Sequence, residues 1–346
     1  MTRQGIFVAV GVVALLVVAP ARTAQPAAAP AAGDCDRECL NHFVDQYLDA
    51  VVAHDPSKAA LASNVKFTED GQKLDPGDGL WRTATARGSY KLYMDDPAAG
   101  QVVFFGTMRE ADNPVDLALR LKIEGHKIVE AETIVVRDGI NASRPTDTGA
   151  ENFEKMGAPD ALFTAALPPA ERTSREELAR TANKYFSGMQ LNDGKGDYSF
   201  FADDCSRIEN GFMATGGRNT VSDSPAPSTS YTVLQGCRAQ FESGLIHFVT
   251  RIRERRFVVL DTEHGIAVAF TFFDHAAGNT RTFQTPDGKT VTVGPKTPWT
   301  WEIAEAFKVE NGKIRRIQAM FHRCPYGMAS GWSSSWADVM STEARW

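Results

Sequence analysis

The stretch Lys313–Arg323, KIRRIQAMFHR, decides the fold, because Lys127–Arg137, KIVEAETIVVR, says nearly the same thing. Lys, Ile and Arg recur in register at a constant offset of 186 residues. A long-range repeat is the signature of a duplicated unit, so the comparison extends outward in both directions. Each copy follows an alternating stretch that opposes it: PVDLALRLKIE (114–124) in the first half and TWEIAEAFKVE (300–310) in the second. Further upstream the spacing predicts a helix in each half, ECLNHFVDQYLDAVVAHD (38–55) and SREELARTANKYFSGMQLND (174–193). The first has apolar residues at Leu40, Phe43, Val44, Tyr47, Leu48 and Val51, a helical period. In the second, Ser174 and Glu177 have capping-box spacing. Tyr47 aligns with Tyr185, and the short strands KFTEDG (66–71) and SRIENG (206–211) align next.

TARGSYKLYMDD (85–96) and CRAQFESGLIHFV (237–249) read as a second helical stretch in each half. QVVFFGTM (101–108) is then matched with FVVLDTE (257–263). An extra hairpin, turning at Pro286-Asp287-Gly288, accounts for the growing offset in the second half. Helix first and antiparallel strands after predicts an α+β fold. The expected organisation is a leader over 1–33, one domain over 34–137, a Pro-, Ala- and Gly-rich linker over 138–173, and a second domain over 174–346 with the inserted hairpin and a C-terminal tail.

The leader has the pattern of a secretory signal peptide: Arg3, an apolar run Ile6–Ala19, then Ala19-Pro20-Ala21. The run is too short for a stable membrane span. The expected location is therefore secreted or periplasmic, with mature material starting between Arg22 and Asp34. Export permits disulfides. Cys205 is expected to pair with Cys237, and Cys35 with Cys39 at a helix start, leaving Cys324 as a buried thiol. Asn141-Ala142-Ser143 is a glycosylation acceptor in a eukaryotic source. The net charge of −6 and the lack of a basic run exclude a nucleic-acid partner. No zinc spacing, G-x-S-x-G elbow, phosphate loop or dinucleotide fingerprint occurs, so neither metal nor cofactor is expected.

The opening Phe/Tyr helices, the FTEDG and RIENG strands and the closing GKIRRIQAMF strand together resemble the NTF2-like, SnoaL-like superfamily, once per half. The whole chain is similar to secreted tandem proteins of that superfamily. The resemblance implies two cone-shaped α+β barrel domains with curved antiparallel sheets, each enclosing a pocket for a small-molecule ligand. It also implies dimer-like packing, here an intrachain pseudo-dimer. The superfamily includes dehydratases, isomerases, epoxide hydrolases, cyclases and pure binders, so the fold leaves the function open.

Asn311-Gly312 is a two-residue hairpin signal, which makes opposed positions sum to 623. One face then carries Trp301, Ile303, Glu305, Phe307 and Val309 beside Ile314, Arg316, Gln318, Met320 and His322. This bulky face is the expected interior. Glu305 and His322 are the expected catalytic pair, with Arg316 and Gln318 as polar orienters and Trp301, Phe307 and Met320 as lining. The alternative is that Glu305 only satisfies a buried charge with Arg316 or Gln318. In the first half the row is Val115, Leu117, Leu119, Leu121 and Ile123, with Glu132 opposite Leu119 as its carboxylate.

Tyr90 and Tyr93, three apart on the expected helix, are candidate lining of the first pocket. Tyr326 or Trp332 is the candidate lid on the second, within CPYGMASGWSSSW (324–336), the alternative being an ordinary packed tail. Glu69 and Glu209 end matching strands and are expected to be structural. Asp274 and His275 are adjacent on a strand, so they point to opposite faces. The small-residue face Ala304, Ala306, Ala319 and Phe321 is expected to pack on Ala118, Ala131, Thr133 and Val135. The expected activity is cofactor-free acid/base chemistry, a dehydration, isomerisation or hydrolysis, on a small apolar molecule. The alternative is a non-catalytic ligand-binding or interaction module.

Overall fold

The computed structural model describes Met1 and residues 35–137, 148–215, 236–244, 246–284 and 290–346. The leader beyond Met1, the Asn141-Ala142-Ser143 acceptor and the Pro286-Asp287-Gly288 turn lie outside the described residues.

In the first half, helix α1 (Arg37–Val52) is capped by Asp36, whose side chain accepts the Cys39 N–H. Strands β1 (Leu61–Glu69) and β2 (Gln72–Lys73) follow, then the short helix α2 (Leu80–Thr83). Four long strands complete the half: β3 (Ala84–Asp96), β4 (Gln101–Glu110), β5 (Asn113–Glu124) and β6 (Lys127–Val136). Two short helices come next, α3 (Ala150–Met156) and α4 (Ala161–Thr164). The second half opens with α5 (Arg175–Met189), capped by Ser174 on the Glu177 N–H as the spacing predicts. It continues with β7 (Phe201–Glu209), β8 (Phe212–Thr215), α6 (Cys237–Glu242), β9 (Arg251–Asp261) and β10 (Ile266–His275). The inserted hairpin is β11 (Arg281–Gln284) with β12 (Thr290–Val293). Last come β13 (Trp299–Glu310), β14 (Lys313–Cys324), α7 (Trp336–Met340) and β15 (Ala344–Arg345).

The fold is α+β with two large mixed sheets. The first runs β2-β1-β6-β5-β4-β3 and the second, read from its far edge, β8-β7-β14-β13-β10-β9-β15. The orders match strand for strand up to the extra β15. Both pair the first strand of the half in parallel with the last, β1 with β6 and β7 with β14. Neither sheet closes on itself, so open sheets stand where barrels were expected.

This order corrects two expectations. TARGSYKLYMDD is strand β3. Its side chains alternate between layers: Leu92 and Met94 enter one hydrophobic cluster, and Tyr93 packs on another. A period of two, not 3.6, is therefore the right reading. The counterpart of QVVFFGTM is accordingly β10, and FVVLDTE belongs with β3. Of the stretch expected as linker, residues 148–173 are also structured. Phe153 and Phe163 are buried in it, and Glu154 grips Arg109 of β4.

Each sheet covers its own helix. Leu40, Val44, Tyr47 and Leu48 of α1 share a core with Phe104, Leu117, Leu119 and Leu121. Leu178, Ala182, Tyr185 and Phe186 of α5 share one with Phe273, Ile303, Phe307 and Phe321. A third cluster joins the opposite faces of the two sheets. It combines Leu92, Val103, Phe105, Ala118 and Ile134 with Val259, Val268, Phe270, Ala304, Ala306 and Met320. Ala304, Ala306 and Ala118 stand where the small-residue argument expects them. Ala319 and Phe321 instead face α5, and Ala131 and Val135 face α1.

Polar contacts reinforce this contact between sheets. Arg37 holds Asp261 with two hydrogen bonds of 2.7 Å and reaches Glu263 at 2.9 Å. Arg175 holds Asp96 the same way at 2.6 and 2.7 Å. Both expected cysteine pairs are bonded, Cys35–Cys39 and Cys205–Cys237, and Cys324 is a buried free thiol. Among the described residues no helix is long and apolar enough to cross a membrane.

Candidate functional site

The closing hairpin of the second half follows the expected register only near its turn. Glu310 pairs with Lys313 and Val309 with Ile314, but Lys308 pairs with Arg316. Arg315 is the extra residue of a β-bulge, and one extra residue sends every later side chain to the other face. Glu305 therefore opposes Ala319, Phe307 opposes Ile317, and Trp301 opposes Arg323. The first half carries the same bulge at Val129, so Glu132 opposes Arg120 and Leu119 opposes Thr133.

The bulge separates residues expected together. Glu305, Phe307 and Trp301 stay on the face toward α5. Gln318 and Met320 turn toward the first sheet, where the Tyr90 hydroxyl donates to Gln318 Oε1 at 2.9 Å. Arg316 donates to Asp160 at 2.7 Å and to the Asp204 carbonyl at 2.8 Å, half-buried at the edge of the layer. His322 Nε2 lies 3.0 Å from Glu302 and 3.8 Å from Asp70. Burial pushes Glu302 up to about 7 against the pull of His322. Burial acts to lower His322, but its bond to Glu302 and the Asp70 charge leave it raised. His322 is thus not the proton partner of Glu305.

Glu132 is likewise removed from the first interior. Arg120 Nε donates to it at 2.8 Å, and Arg256 holds it from the second sheet. These two cations outweigh burial and keep its carboxyl below the usual range. Tyr90 and Tyr93 lie on opposite faces of β3, with only Tyr93 toward α1, where its hydroxyl donates to Asp45. Tyr326 is exposed.

The rows of sheet partners show what is built around Glu305. Across the second sheet one row reads Ala269, Glu305, Ala319, Glu209. Its counterpart in the first reads Phe104, Leu119, Thr133, Glu69. The next row reads Ala267, Phe307, Ile317, Arg207 against Val102, Leu121, Ala131, Phe67. At matched positions the second half thus replaces Leu119 and Phe67 with Glu305 and Arg207, and Phe104 with Ala269.

The helix supplies the third group. Tyr185 of α5 stands beside Glu305 and acts to lower its pKa, and Arg207 Nη1 donates to the Tyr185 oxygen at 3.2 Å. Arg207 Nη2 donates to Gln240 Oε1 at 2.7 Å. Its Nε lies 2.9 Å from Glu209 but off the N–H axis, an ion pair rather than a hydrogen bond. Glu305 is 1% exposed, and its Oε2 has no hydrogen-bond partner. Burial pushes its carboxyl up to about 8, with Arg207 opposing and the Glu209 charge adding to the rise. Near neutral pH Glu305 is therefore a protonated acid beside a phenol and a guanidinium, a set able to give and retrieve a proton. The matched Tyr47 instead accepts the Trp81 indole N–H at 3.1 Å among apolar neighbours.

Farther along the same face of β10 stands His275. Its ring stacks on Trp299 with centroids 3.7 Å apart and meets Trp301 edge-on. Both ring nitrogens lack a partner, and burial lowers its pKa to about 3, so it is neutral. It lies six residues from Ala269, the partner of Glu305, which is roughly 20 Å by strand rise. The two groups cannot act on one bond. As expected, Asp274 points the other way, to Arg251 and Arg253.

Asp261, Glu263 and His264 cluster closely enough to hold a metal ion, but Arg37 already pairs with both carboxylates. The sequence reading missed Arg207, Tyr185 and Gln240. The signal for Arg207 lay in the repeat itself, where RIENG sets Arg against the Phe of FTEDG.

Residues 171–321 match the family model of a domain of unknown function, DUF8021, which spans less than half of the chain. No curated protein matches. Among solved structures, a protein from Sphaerobacter thermophilus is similar at 17% identity, covering 28% of this chain and 94% of its own, with a TM-score of 0.24. An NTF2-like protein of unknown function from Cytophaga hutchinsonii is 8% identical over 28% of this chain and 88% of its own, TM-score 0.23. An NTF2-like protein from Burkholderia thailandensis is 16% identical over 27% of this chain and 88% of its own, TM-score 0.22.

Proposed function

We propose that the interior between α5 and the second sheet takes a small, largely apolar molecule, and that Glu305 acts on it as general acid or base without a cofactor. Tyr185 replaces His322 as the proton partner, and Arg207 holds the phenol and any negative charge that develops. Dehydration, isomerisation and hydrolysis all fit this set. The observation that carries the reading is the exchange of Leu119 and Phe67 for Glu305 and Arg207 at matched sheet positions. A duplicated core needs neither charge to pack, and buried ionisable groups are commonly replaceable by apolar ones at no loss of stability. The unpartnered Glu305 Oε2 adds to it, since a ligand donor or acceptor can meet that atom.

The same reading makes the chain an exported tandem of NTF2-like cones, over 34–137 and 174–346, packed as an intrachain pseudo-dimer. The matching strand orders, the shared alanine-containing cluster and the two disulfides support it. A non-catalytic binder is the second reading, favoured by the near-complete burial of Glu305.

The test restores the first half's residues in the second, Glu305→Leu with Arg207→Phe. Small apolar molecules are screened by thermal shift against wild type, and each stabilising compound is assayed for turnover. Ligands that bind wild type but not the double variant, and are turned over only with Glu305 present, establish the enzyme. Binding without turnover establishes the binder. Equal binding by both proteins refutes the site.

A further inference from the structure

Away from Glu305, a cleft of about 580 Å³ opens where α5 ends. This volume lies within the range of small-molecule sites. Asn192 lines it and is 2% exposed. Its side-chain NH₂ donates to the Gly188 carbonyl at 3.0 Å and to the Tyr198 hydroxyl at 2.8 Å, which fixes the orientation of the amide. Turning the amide over would set Oδ1 against the Gly188 carbonyl, two acceptors with no hydrogen between them. Asn192 Oδ1 is therefore committed as an acceptor, buried, and without a donor.

Next to it, Leu191 has φ +51° and is 52% exposed, a large apolar side chain displayed from left-handed backbone. The Leu191 N–H is tied to the Val249 carbonyl, so the conformation is held in place. Backbone in this region is uncommon for leucine and gathers at ligand sites.

The charges lining the cleft balance. Lys184 and Lys313 stand against Asp193 and Asp197. Each aspartate already accepts a backbone N–H of its own loop, from Lys195 and Ser199 respectively. The end of α5 contributes the negative pole of its dipole. An anion is repelled by that pole and the aspartates, and a cation by the lysines. A neutral polyol satisfies all of them: its hydroxyls donate to the aspartates and accept from the lysines, while its C–H face rests on Leu191. We infer that this cleft is a binding site for a neutral polyhydroxylated ligand, a sugar residue or a short glycan end. The inference is independent of any chemistry at Glu305.

The experiment is saturation-transfer NMR, followed by calorimetry, on the full chain. The probes are maltotriose, cellotriose and tri-N-acetylchitotriose, with glucose 6-phosphate and spermidine as charged comparators. At least one neutral trisaccharide is expected to bind with millimolar or tighter affinity. Leu191→Ser, an exposed change that leaves the fold intact, is expected to weaken it at least fivefold, and Lys313→Ala at least twofold. Asn192→Ala, which releases the Tyr198 hydroxyl and the Gly188 carbonyl in the cleft wall, is expected to weaken binding, with its folding checked by circular dichroism. Failure of all three sugars to bind, binding of the charged comparators alone, or affinity untouched by Leu191→Ser and Lys313→Ala would overturn the assignment.

Discussion

Replacing Glu305 with Gln keeps the shape and the hydrogen-bonding capacity toward Tyr185 but removes the titration. The folded carboxyl sits at about 8 against an ordinary 4.5. Below pH 4.5 the group is protonated in both folded and unfolded chains, and its contribution to stability is fully present. As pH rises, the unfolded chain gains the free energy of ionisation while the folded chain stays neutral, so stability is lost until the folded group titrates near pH 8. At about 1.4 kcal/mol per pH unit the loss reaches about 5 kcal/mol. Wild type and Glu305→Gln should melt together near pH 4.5. They should separate steadily to pH 8, with the variant higher by roughly 10 °C for a chain of this size. Glu302, at about 7, and Asp95, pushed up to about 7 by burial, titrate in the same window. Both are present in each protein and drop out of the difference. Where a substrate is in hand, the variant's turnover should fall roughly 100-fold or more. Parallel melting curves across this range would mean that Glu305 is ionised throughout and merely pairs with Arg207, and the acid/base reading would fail.

Ala306 lies fully buried in the cluster joining the two sheets. Ala306→Arg should therefore cost about 3 kcal/mol or more by overpacking and unpaired charge, read as a fall in the denaturation midpoint; a wild-type midpoint would show that the sheets do not meet there. Converting both Cys205 and Cys237 to Ser opens a bridge between residues 32 apart and should lower stability on the order of 3 kcal/mol in chemical denaturation. Gly149 has φ +86°, and a Cβ there would fall 1.7 Å from the Asn210 carbonyl oxygen. Gly149→Ala should cost about 2 kcal/mol or more, and an unchanged melting temperature would show that the start of α3 does not lie against Asn210 in the β7–β8 turn.

The α+β class, the two opening helices with the Ser174 cap, the closing hairpins, the inserted hairpin and both cysteine pairs were legible in the sequence. These rest on local chemistry: helical period, capping residues and turn residues. Strand β3 was misread because Tyr90 and Tyr93 mimic a helical spacing, whereas the strand's alternation serves two different hydrophobic layers. Glu305, Phe307 and Trp301 were legible as one face because they share a strand. Their partners across the hairpin were not. The Asn311-Gly312 turn specifies how the hairpin starts, but Arg315 bulges three residues later without a Gly or Pro to mark it. That one residue carried Arg316, Gln318, Met320 and His322 to the other face. The helix-borne Tyr185 and Gln240 needed tertiary packing to be seen, as did the route of the tail.

The tail carries a consequence for how the chain is made. Trp332 donates its indole N–H to Thr68 Oγ1, and Lys66 and Arg120 lie over its ring. Met328 sits against Gly71. Ser330 and Ser333 bind Glu254 from the same segment, so one strap spans both sheets. Thr68 leaves the ribosome 264 residues before its partner. At 5–20 residues per second, that is a wait of roughly 13–50 s. Throughout that interval the first sheet's shared face, with Leu92, Phe105 and Ala118, also lacks the second sheet. The first half is thus born with its stickiest surface bare, and a ribosome stalled anywhere in β13 or β14 would hold it bare indefinitely.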